Sequence, residues 1–106
     1  RLPNTGADVI KVFASASIRD GGALVMSPEQ LEAACGEATA VGLRSFAHAY
    51  GTEGGTAVVE AGCGSIEHGT RFDDETIALM AERDTYLDLH LELLWSNYDE
   101  YRSAFI

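Results

Sequence analysis

The sequence predicts an α/β fold in which parallel strands alternate with helices. Short segments rich in valine, isoleucine and phenylalanine recur along the 106 residues, and segments whose apolar residues have helical spacing follow them. The strand-like segments are apolar on both faces, which is typical of a parallel sheet covered by helices. We therefore expect residues 1–106 to form a single segment of about three and a half strand–helix repeats.

The first repeat has the clearest local signals. Its strand is predicted in GADVIKVFAS, residues 6–15, and a glycine-containing loop follows. Its helix is predicted to begin at SPEQ, with Ser27 as the N-cap, Pro28 in the first helical position and Gln30 completing a capping box. Gly42 is placed to end this helix.

The later repeats follow the same order. Three further strands are predicted in LRSFAHAYG (residues 43–51), GSIEHGT (residues 64–70) and TYLDLHLEL (residues 85–93). Two further helices are predicted in TEGGTAVVEAG (residues 52–62) and in DETIALMAER (residues 74–83), the second capped by Asp73. A last helical stripe consists of Leu94, Tyr98, Tyr101 and Phe105.

This pattern leaves two architectures open. Each connection between parallel strands should be right-handed, so the helices cover the sheet either as in a (β/α)8 barrel or as in an open doubly wound α/β sheet. A complete (β/α)8 barrel takes about 250 residues. We expect a partial (β/α)8 TIM barrel with parallel strands, and the open doubly wound sheet is the alternative.

Composition narrows the classes of function. The formal net charge of −10 argues against binding to nucleic acid or to an anionic membrane surface. No apolar run approaches the roughly 20 residues of a membrane span, and no signal-peptide pattern opens the sequence, so we expect a cytoplasmic protein. Cys35 and Cys63 lack metal-site spacing, and we expect them to be small buried residues in a reducing compartment, without a disulfide.

Four ionisable side chains occupy matching positions in successive predicted strands. Lys11 and the three histidines, His48, His68 and His90, each follow the preceding turn by a similar number of residues. They should therefore lie at equal depth toward the carboxyl ends of the strands, where α/β sheets and barrels bind ligands. Neutral imidazoles converging on one point suit zinc and similar ions, although a single strand histidine is commonly a hydrogen-bonded core residue.

Lys11, the only lysine in the sequence, has three possible roles. Because an ammonium group repels a cation, the side chain can join a metal site only after it loses its charge, for example by carboxylation with carbon dioxide. A neutral, buried amine could instead form a Schiff base. The third role is structural, with the side chain extending to solvent and pairing with Asp8 or Asp20.

Several motifs resemble those of a known family when they are taken in order. They are GADVIKVFAS, SPEQLEAACGEATAVGLRSFAHAYGTEG, AVVEAGCGSIEHGT and DDETIALMAERDTYL, and the resemblance runs from about residue 8 to residue 87. Together they resemble the central part of the metal-dependent amidohydrolase superfamily, in its prolidase-like and imidazolonepropionase-like branches. The resemblance implies a (β/α)8 barrel in which this chain supplies strands four to seven.

The resemblance also implies a metal site and a reaction. Lys11, carboxylated by carbon dioxide, would bridge two divalent metals, and His48 and His68 would be ligands of one of them. The ions implied are one or two Zn²⁺. A hydroxide held by them would attack the carbonyl carbon of a peptide-like or acyl-amino-acid substrate, and the C–N bond would then break. The lysine favours the prolidase-like branch, since imidazolonepropionases lack it.

Other residues and partners are expected on the same grounds. Tyr50, Ser15 and Arg19 lie near the strand ends and could contact a small-molecule or dipeptide-like substrate. No catalytic residue beyond the metal ligands can be assigned, and His90 matches no family ligand.

The His-x-His pair of the family's first strand and the aspartate of its eighth strand are both absent. We therefore expect the chain to need the rest of the barrel, another chain or a homo-oligomer. The alternative functions are a non-catalytic truncated α/β module and a Schiff-base lyase that uses Lys11.

Overall fold

The computed structural model describes residues 5–91 and has the α/β architecture that the sequence predicts. Four parallel strands form one sheet: β1 (Val9–Phe13), β2 (Arg44–Gly51), β3 (Ser65–Arg71) and β4 (Tyr86–Asp88). Three helices connect successive strands: α1 (Pro28–Ala40), α2 (Thr52–Glu60) and α3 (Asp74–Glu82). A short 3₁₀ turn, Ile18–Asp20, lies in the loop between β1 and α1. The predicted helical stripe of Leu94, Tyr98, Tyr101 and Phe105 lies outside the described residues.

The order of the strands decides between the two predicted architectures. The strands lie in sequence order, β1-β2-β3-β4, and every neighbouring pair is parallel. A doubly wound sheet reverses its strand order at a switch point, whereas a (β/α)8 barrel adds each strand beside the previous one. The structure therefore matches a segment of a barrel whose sheet is not closed.

The predicted helix signals are present in the structure. In α1 the Ser27 hydroxyl accepts a hydrogen bond from the Gln30 amide at 3.2 Å, and the Gln30 side chain accepts one from the Ser27 amide at 2.8 Å. In α3 the Asp73 carboxylate accepts the amide of Thr76 at 2.8 Å. Because these caps satisfy amides that a helix cannot pair internally, they fix where each helix begins.

The core lies between the helices and one face of the sheet. Its buried members are Ala14, Leu31, Cys35, Ala47, Ala49, Val58, Val59, Cys63, Ile66 and Met80. Small alanines on β2 let α1 and α2 approach the sheet closely, since a longer side chain would hold the layers apart. None of the helices in residues 5–91 is long and apolar enough to cross a membrane.

The fourth strand is shorter than the sequence predicts. The pattern in residues 85–93 predicts a strand through His90, whereas β4 ends at Asp88 and its three residues are all exposed. His90 follows with a positive φ of 49°, which is not a strand conformation. Alternating apolar residues beyond the strand end produced the longer prediction.

The prediction for the cysteines is wrong in one respect. Cys35 of α1 and Cys63, which precedes β3, are both buried as expected, but they are joined in a disulfide. The bond links two residues 28 positions apart on the helix side of the sheet. Sequence spacing carries no information about this contact, because only the packing of α1 beside the end of α2 brings the two sulfurs together. Disulfides persist mainly in oxidising compartments, so the expected cytoplasmic location gains no support from the cysteines.

We expect the oxidised chain to contain no free thiol and to lose stability when the bond is reduced. A crosslink that closes a loop of this length stabilises a fold by about 3–4 kcal/mol in the chain-entropy description. Thiol titration under denaturing conditions should detect no free cysteine, and thermal unfolding should occur at a lower temperature in dithiothreitol. The double variant Cys35→Ala/Cys63→Ala is the control, because its unfolding should not respond to the reductant. Two titratable thiols in the untreated protein would contradict the disulfide.

Candidate functional site

The histidines and an aromatic residue form a cluster on the sheet face that the helices leave uncovered, called the inner face below. The ring centroids of His48 and His68 are 4.7 Å apart, and Tyr50 lies 4.9 Å from His48 and 4.8 Å from His68. His90 lies 4.7 Å from His68 and Phe13 lies 5.1 Å from His48. Residues from successive strands therefore meet near the carboxyl ends, the edge at which parallel sheets bind ligands.

Strand β2 supplies the centre of this cluster through simple alternation. Ala47 and Ala49 point into the core and are fully buried. The residues between and after them, His48 and Tyr50, consequently point to the inner face. Both are more than nine-tenths buried, because the neighbouring rings and the loop after β1 cover them.

His68 reaches the same cluster only through an unusual backbone conformation. In the strand register His68 pairs with Ala49, whose side chain points into the core, so a regular strand would turn His68 toward the helices. Instead His68 has a φ of 83°, and its ring stacks on Tyr50 with an angle of 16° between the planes. Positive φ is uncommon for a residue other than glycine and costs of order 1–3 kcal/mol. This strained conformation places two consecutive residues, Glu67 and His68, on the inner face.

The register corrects the prediction that Lys11 and the histidines lie at equal depth. Lys11 pairs with Phe46, and His48 pairs with Phe13 and Glu67, so Lys11 lies two residues below His48. Its Nζ contacts the carboxylate of Glu67 across β2. Burial lowers the pKa of Lys11, while the charge of Asp88 raises it.

Glu67 is absent from the predicted site, because the matching positions on successive strands are those of one lysine and three histidines. The available signal was a glutamate within an apolar strand. Such a side chain is rarely buried without a partner, and the only lysine of the chain was a candidate for that partner. In the structure the side chains of Lys11 and Glu67 are 33% and 21% exposed, so solvent reaches the pair from one side.

The two buried imidazoles are held in the neutral form. Burial lowers the pKa of His48, and the charges of Lys11 and His90 lower it further, against a hydrogen bond to Ala16 that raises it. Burial, followed by the charges of His48, His90 and Lys11, lowers the pKa of His68 to about 4. Neutral imidazole is the form that binds a metal ion.

The donor atoms of these rings suit a divalent metal ion. The Nε2 of His48 lies 3.3 Å from the Ala16 carbonyl, which can only accept, so Nε2 carries the proton and Nδ1 keeps its lone pair. The Nδ1 of His68 is buried without a hydrogen-bond partner. Within residues 5–91, no group of three or more His, Cys, Asp or Glu side chains is arranged as a metal site. The described part thus offers two imidazoles and Lys11 rather than a full set of such ligands.

The three residues predicted to contact substrate occupy different environments. Tyr50 lies in the cluster, and burial raises its pKa against the opposing effects of Arg19 and of the Ile18 backbone. Arg19 is on the exposed 3₁₀ turn, close enough for its charge to act on the Tyr50 hydroxyl. Ser15 is buried, and its hydroxyl donates to the Ala16 carbonyl and accepts from the Tyr50 amide. Ser15 therefore fastens the loop after β1 to the end of β2.

His90, which matches no ligand of the resembled family, joins the cluster just after the end of β4. Its Nε2 lies 3.5 Å from a carboxylate oxygen of Asp88 and has no hydrogen-bond partner. The charge of Asp88 also raises the pKa of His68. Asp88 at the end of β4 and His90 just after it therefore add a carboxylate and a third imidazole near His68.

Two cavities flank the inner face. A cavity of about 360 Å³ adjoins the cluster and has Tyr50, Thr52, Arg71 and three glycines in its wall. A larger cavity of about 700 Å³ extends toward the amino ends of the strands and includes Phe46 and Glu67 but none of the histidines. The smaller cavity is the one in contact with the candidate site, since Tyr50 forms part of both.

Comparisons with known proteins agree with this geometry. No family model matches the chain. Over 82 residues it is 39% identical to the ochratoxinase of Aspergillus niger, covering 74% of this chain and 17% of that protein. The crystal structure of A. niger ochratoxinase has a TM-score of 0.83 and 31% identity, covering 97% of this chain and 26% of that one.

Two further solved structures are similar. A Xaa-Pro dipeptidase with methionine in its active site has a TM-score of 0.85 and 30% identity, covering 92% of this chain and 25% of that one. An amidohydrolase has a TM-score of 0.80 and 33% identity, covering 93% of this chain and 26% of that one. The chain thus spans 17% of the curated relative and about a quarter of the solved structures.

We expect stability to fall as the pH drops from about 6.5 toward 4, because His68 must be neutral in the folded chain. Its folded pKa of about 4 is below the ordinary value of 6.5, so between these values the unfolded chain binds the extra proton. The loss should be of order 1–2 kcal/mol, since solvent screening reduces the full effect of the shift. Thermal unfolding from pH 7 to pH 4 measures it.

The variant His68→Asn should flatten this pH dependence, and asparagine also tolerates a positive φ. The difference in stability between the two proteins at pH 8, where the ring is neutral in both states, is the reference. Equal slopes for the variant and the unaltered chain below pH 6.5 would contradict the assignment to His68.

Proposed function

We propose, from the premise that this chain matches one segment of an amidohydrolase-superfamily barrel, that it supplies part of a metal-dependent hydrolase site. In this proposal its four strands are strands four to seven of the barrel. The reaction is hydrolysis of C–N bonds in peptide-like or acyl-amino-acid substrates. The observation that carries the proposal is the position of two neutral histidine rings, His48 and His68, next to each other above Lys11 on the inner face. The Nδ1 of His68 has no hydrogen-bond partner there.

In this proposal Lys11, His48 and His68 hold the divalent metal, for which Zn²⁺ is the best match to imidazole donors. A bound divalent ion would act as a Lewis acid toward the substrate carbonyl and make water a better nucleophile near neutral pH. The protein's own contribution is orientation. The Ala16 carbonyl holds the His48 ring in one tautomer, and the Tyr50 ring stacks on His68 and limits its rotation.

Carboxylation of Lys11 by carbon dioxide is the proposed route by which this side chain becomes a ligand. The reaction consumes the neutral amine, and burial lowers the pKa of Lys11 in the direction that favours this form. The product is an anion with two oxygen donors. It would replace a group that repels a metal ion by one that attracts it.

Substrate contacts are proposed for Tyr50 and Arg19. Tyr50 forms part of the wall of the cavity that adjoins the cluster, and the charge of Arg19, on the exposed turn, acts on its hydroxyl. Both groups can donate hydrogen bonds to a carbonyl or carboxylate of a dipeptide-like substrate. Ser15 acts through Tyr50, whose amide its hydroxyl binds.

The remaining ligands and the rest of the pocket are proposed to come from further strand–helix units of the barrel or from other copies of the chain. Phe13 on β1 is 60% exposed and Tyr86 on β4 is 78% exposed. These rings lie on the two edge strands of an open sheet, where another strand can pair. Covering them would bury a substantial apolar area.

We expect metal binding that depends on Lys11 and the two histidines. Protein prepared with zinc and bicarbonate should contain metal by elemental analysis, and Lys11→Ala, His48→Ala or His68→Ala should each lower the content by about tenfold or more at limiting metal. Glu60→Gln, an exposed change on α2, is the matched control and should bind as the unaltered chain does. Absence of metal from the unaltered chain would contradict the proposed site.

Hydrolysis of acyl-amino-acid and dipeptide substrates should follow metal content and disappear with chelation. Borohydride trapping with a carbonyl substrate tests the alternative Schiff-base lyase, since burial of the Lys11 amine also suits that chemistry. A trapped adduct at Lys11 in metal-free protein would favour the lyase and count against the hydrolase.

We expect the 106-residue chain to self-associate through its inner face and sheet edges. Sedimentation should give a mass above that of the monomer at micromolar concentration. Replacement of the exposed rings in Phe13→Glu/Tyr86→Glu should shift the population toward monomer. Ile77→Glu is the matched control, because Ile77 is exposed on helix α3 and lies away from the sheet edges. A chain that stays monomeric at 100 μM would count against self-assembly.

A further inference from the structure

We propose that Glu67 is the positioning residue for Lys11, holding its amine on the inner face beneath His48 in the metal-free chain. The Glu67 carboxylate contacts the Lys11 Nζ directly. No comparison assigns a role to this glutamate. The inference rests on the proposed role of Lys11 as a metal ligand and adds the group that orients it.

The contact spans an entire strand. Lys11 is on β1 and Glu67 is on β3, so β2 lies between them and the two backbones are about 10 Å apart. Lys11 pairs with Phe46, whereas Glu67 pairs with His48. His48 is two residues closer to the carboxyl end of β2 than Phe46. The lysine side chain therefore has to extend across β2 and toward the carboxyl ends of the strands to reach the Glu67 carboxylate.

Without a partner for its amine, the Lys11 side chain would adopt other conformations. Its flexible stem can place the amine in water, and one third of the side chain is already exposed. The amine also lies near the Phe13 ring, whose centroid is 5.4 Å from Nζ. Because that ring is itself 60% exposed, it is a poor anchor. The carboxylate of Glu67 is the contact that draws the amine inward.

The strained backbone at His68 serves this contact as well. A regular strand would place consecutive residues on opposite faces, so Glu67 and His68 could not both face inward. The positive φ of His68 removes this restriction. Strand β3 therefore supplies, from neighbouring positions, the carboxylate that orients Lys11 and the imidazole that lies above it.

Lys11 is the only lysine, so its reactivity can be measured alone. Metal-free 106-residue chain is treated with trinitrobenzenesulfonate across pH 7–10. Labelling of the peptide that contains Lys11 is then followed by mass spectrometry, which separates it from the amino terminus. The proteins compared are the unaltered chain, Glu67→Gln and the matched control Glu60→Gln, whose glutamate is exposed on α2.

We expect Glu67→Gln to label roughly two- to fivefold faster, the factor that corresponds to an ion pair of about 0.5–1 kcal/mol. The midpoint of its rate–pH profile should also move to lower pH, which a purely structural role of Glu67 would not cause. The control should match the unaltered chain in both. Equal rates and equal midpoints for Glu67→Gln and the unaltered chain would overturn the proposal.

Near-UV circular dichroism shows whether Glu67→Gln folds. If it does not fold, the variant Glu67→Asp is used to test the proposal instead. Its carboxylate is retained on a stem shorter by one methylene, so labelling faster than in the unaltered chain supports positioning and unchanged labelling overturns it. The result is independent of the metal measurement, because it uses metal-free protein. Lys11 could prove to be a metal ligand while Glu67 proves irrelevant, or the reverse.

Discussion

The left-handed backbone at His68 is the constraint on which the inner face depends. A strand alternates its side chains between two faces, and β3 would otherwise offer the cluster either Glu67 or His68 but not both. One residue with a φ of 83° changes this, and β3 presents both side chains to the inner face. The conformation is costly for a histidine, so contacts must stabilise it. The stacked Tyr50 ring and the neighbouring His48 ring supply those contacts.

The residue after His68 explains how the backbone can leave the regular strand conformation at this point. Gly69 also has a positive φ, of 64°, and a Cβ at this position would lie 2.8 Å from Leu87 and 3.0 Å from Phe72. Two successive residues with positive φ end the regular register of β3 with β2, which shifts near Ala49. The HG pair in the sequence is therefore a structural unit. The histidine places its ring in the inner-face cluster, and the glycine lets the backbone pass close to β4 and the Phe72 ring.

The parts of the fold that depend on residues close together in the sequence were predictable. Caps such as Ser27 with Gln30, and Asp73 with Thr76, act within one helical turn and are read directly from the sequence. The pairing register of neighbouring strands was not predictable in this way, because it depends on the length and position of the helix that connects them. Counting from the preceding turn gave His48 and His68 the same depth, whereas the structure offsets them by one residue and restores the shared face through strain.

Contacts between distant segments were the part that the sequence could not supply, and they determine the chemistry. The disulfide of Cys35 and Cys63 fixes the helix side of the sheet, and the contact of Lys11 with Glu67 organises the opposite side. Each joins segments separated by a complete strand–helix repeat or more. The first is covalent and buried, so it fixes how α1 sits against the end of α2. The second is ionic and partly solvated, so it holds its two side chains less firmly than the disulfide holds its two segments. Within residues 5–91 the helix side of the sheet is therefore the more rigid layer, and the inner face is the more adjustable one.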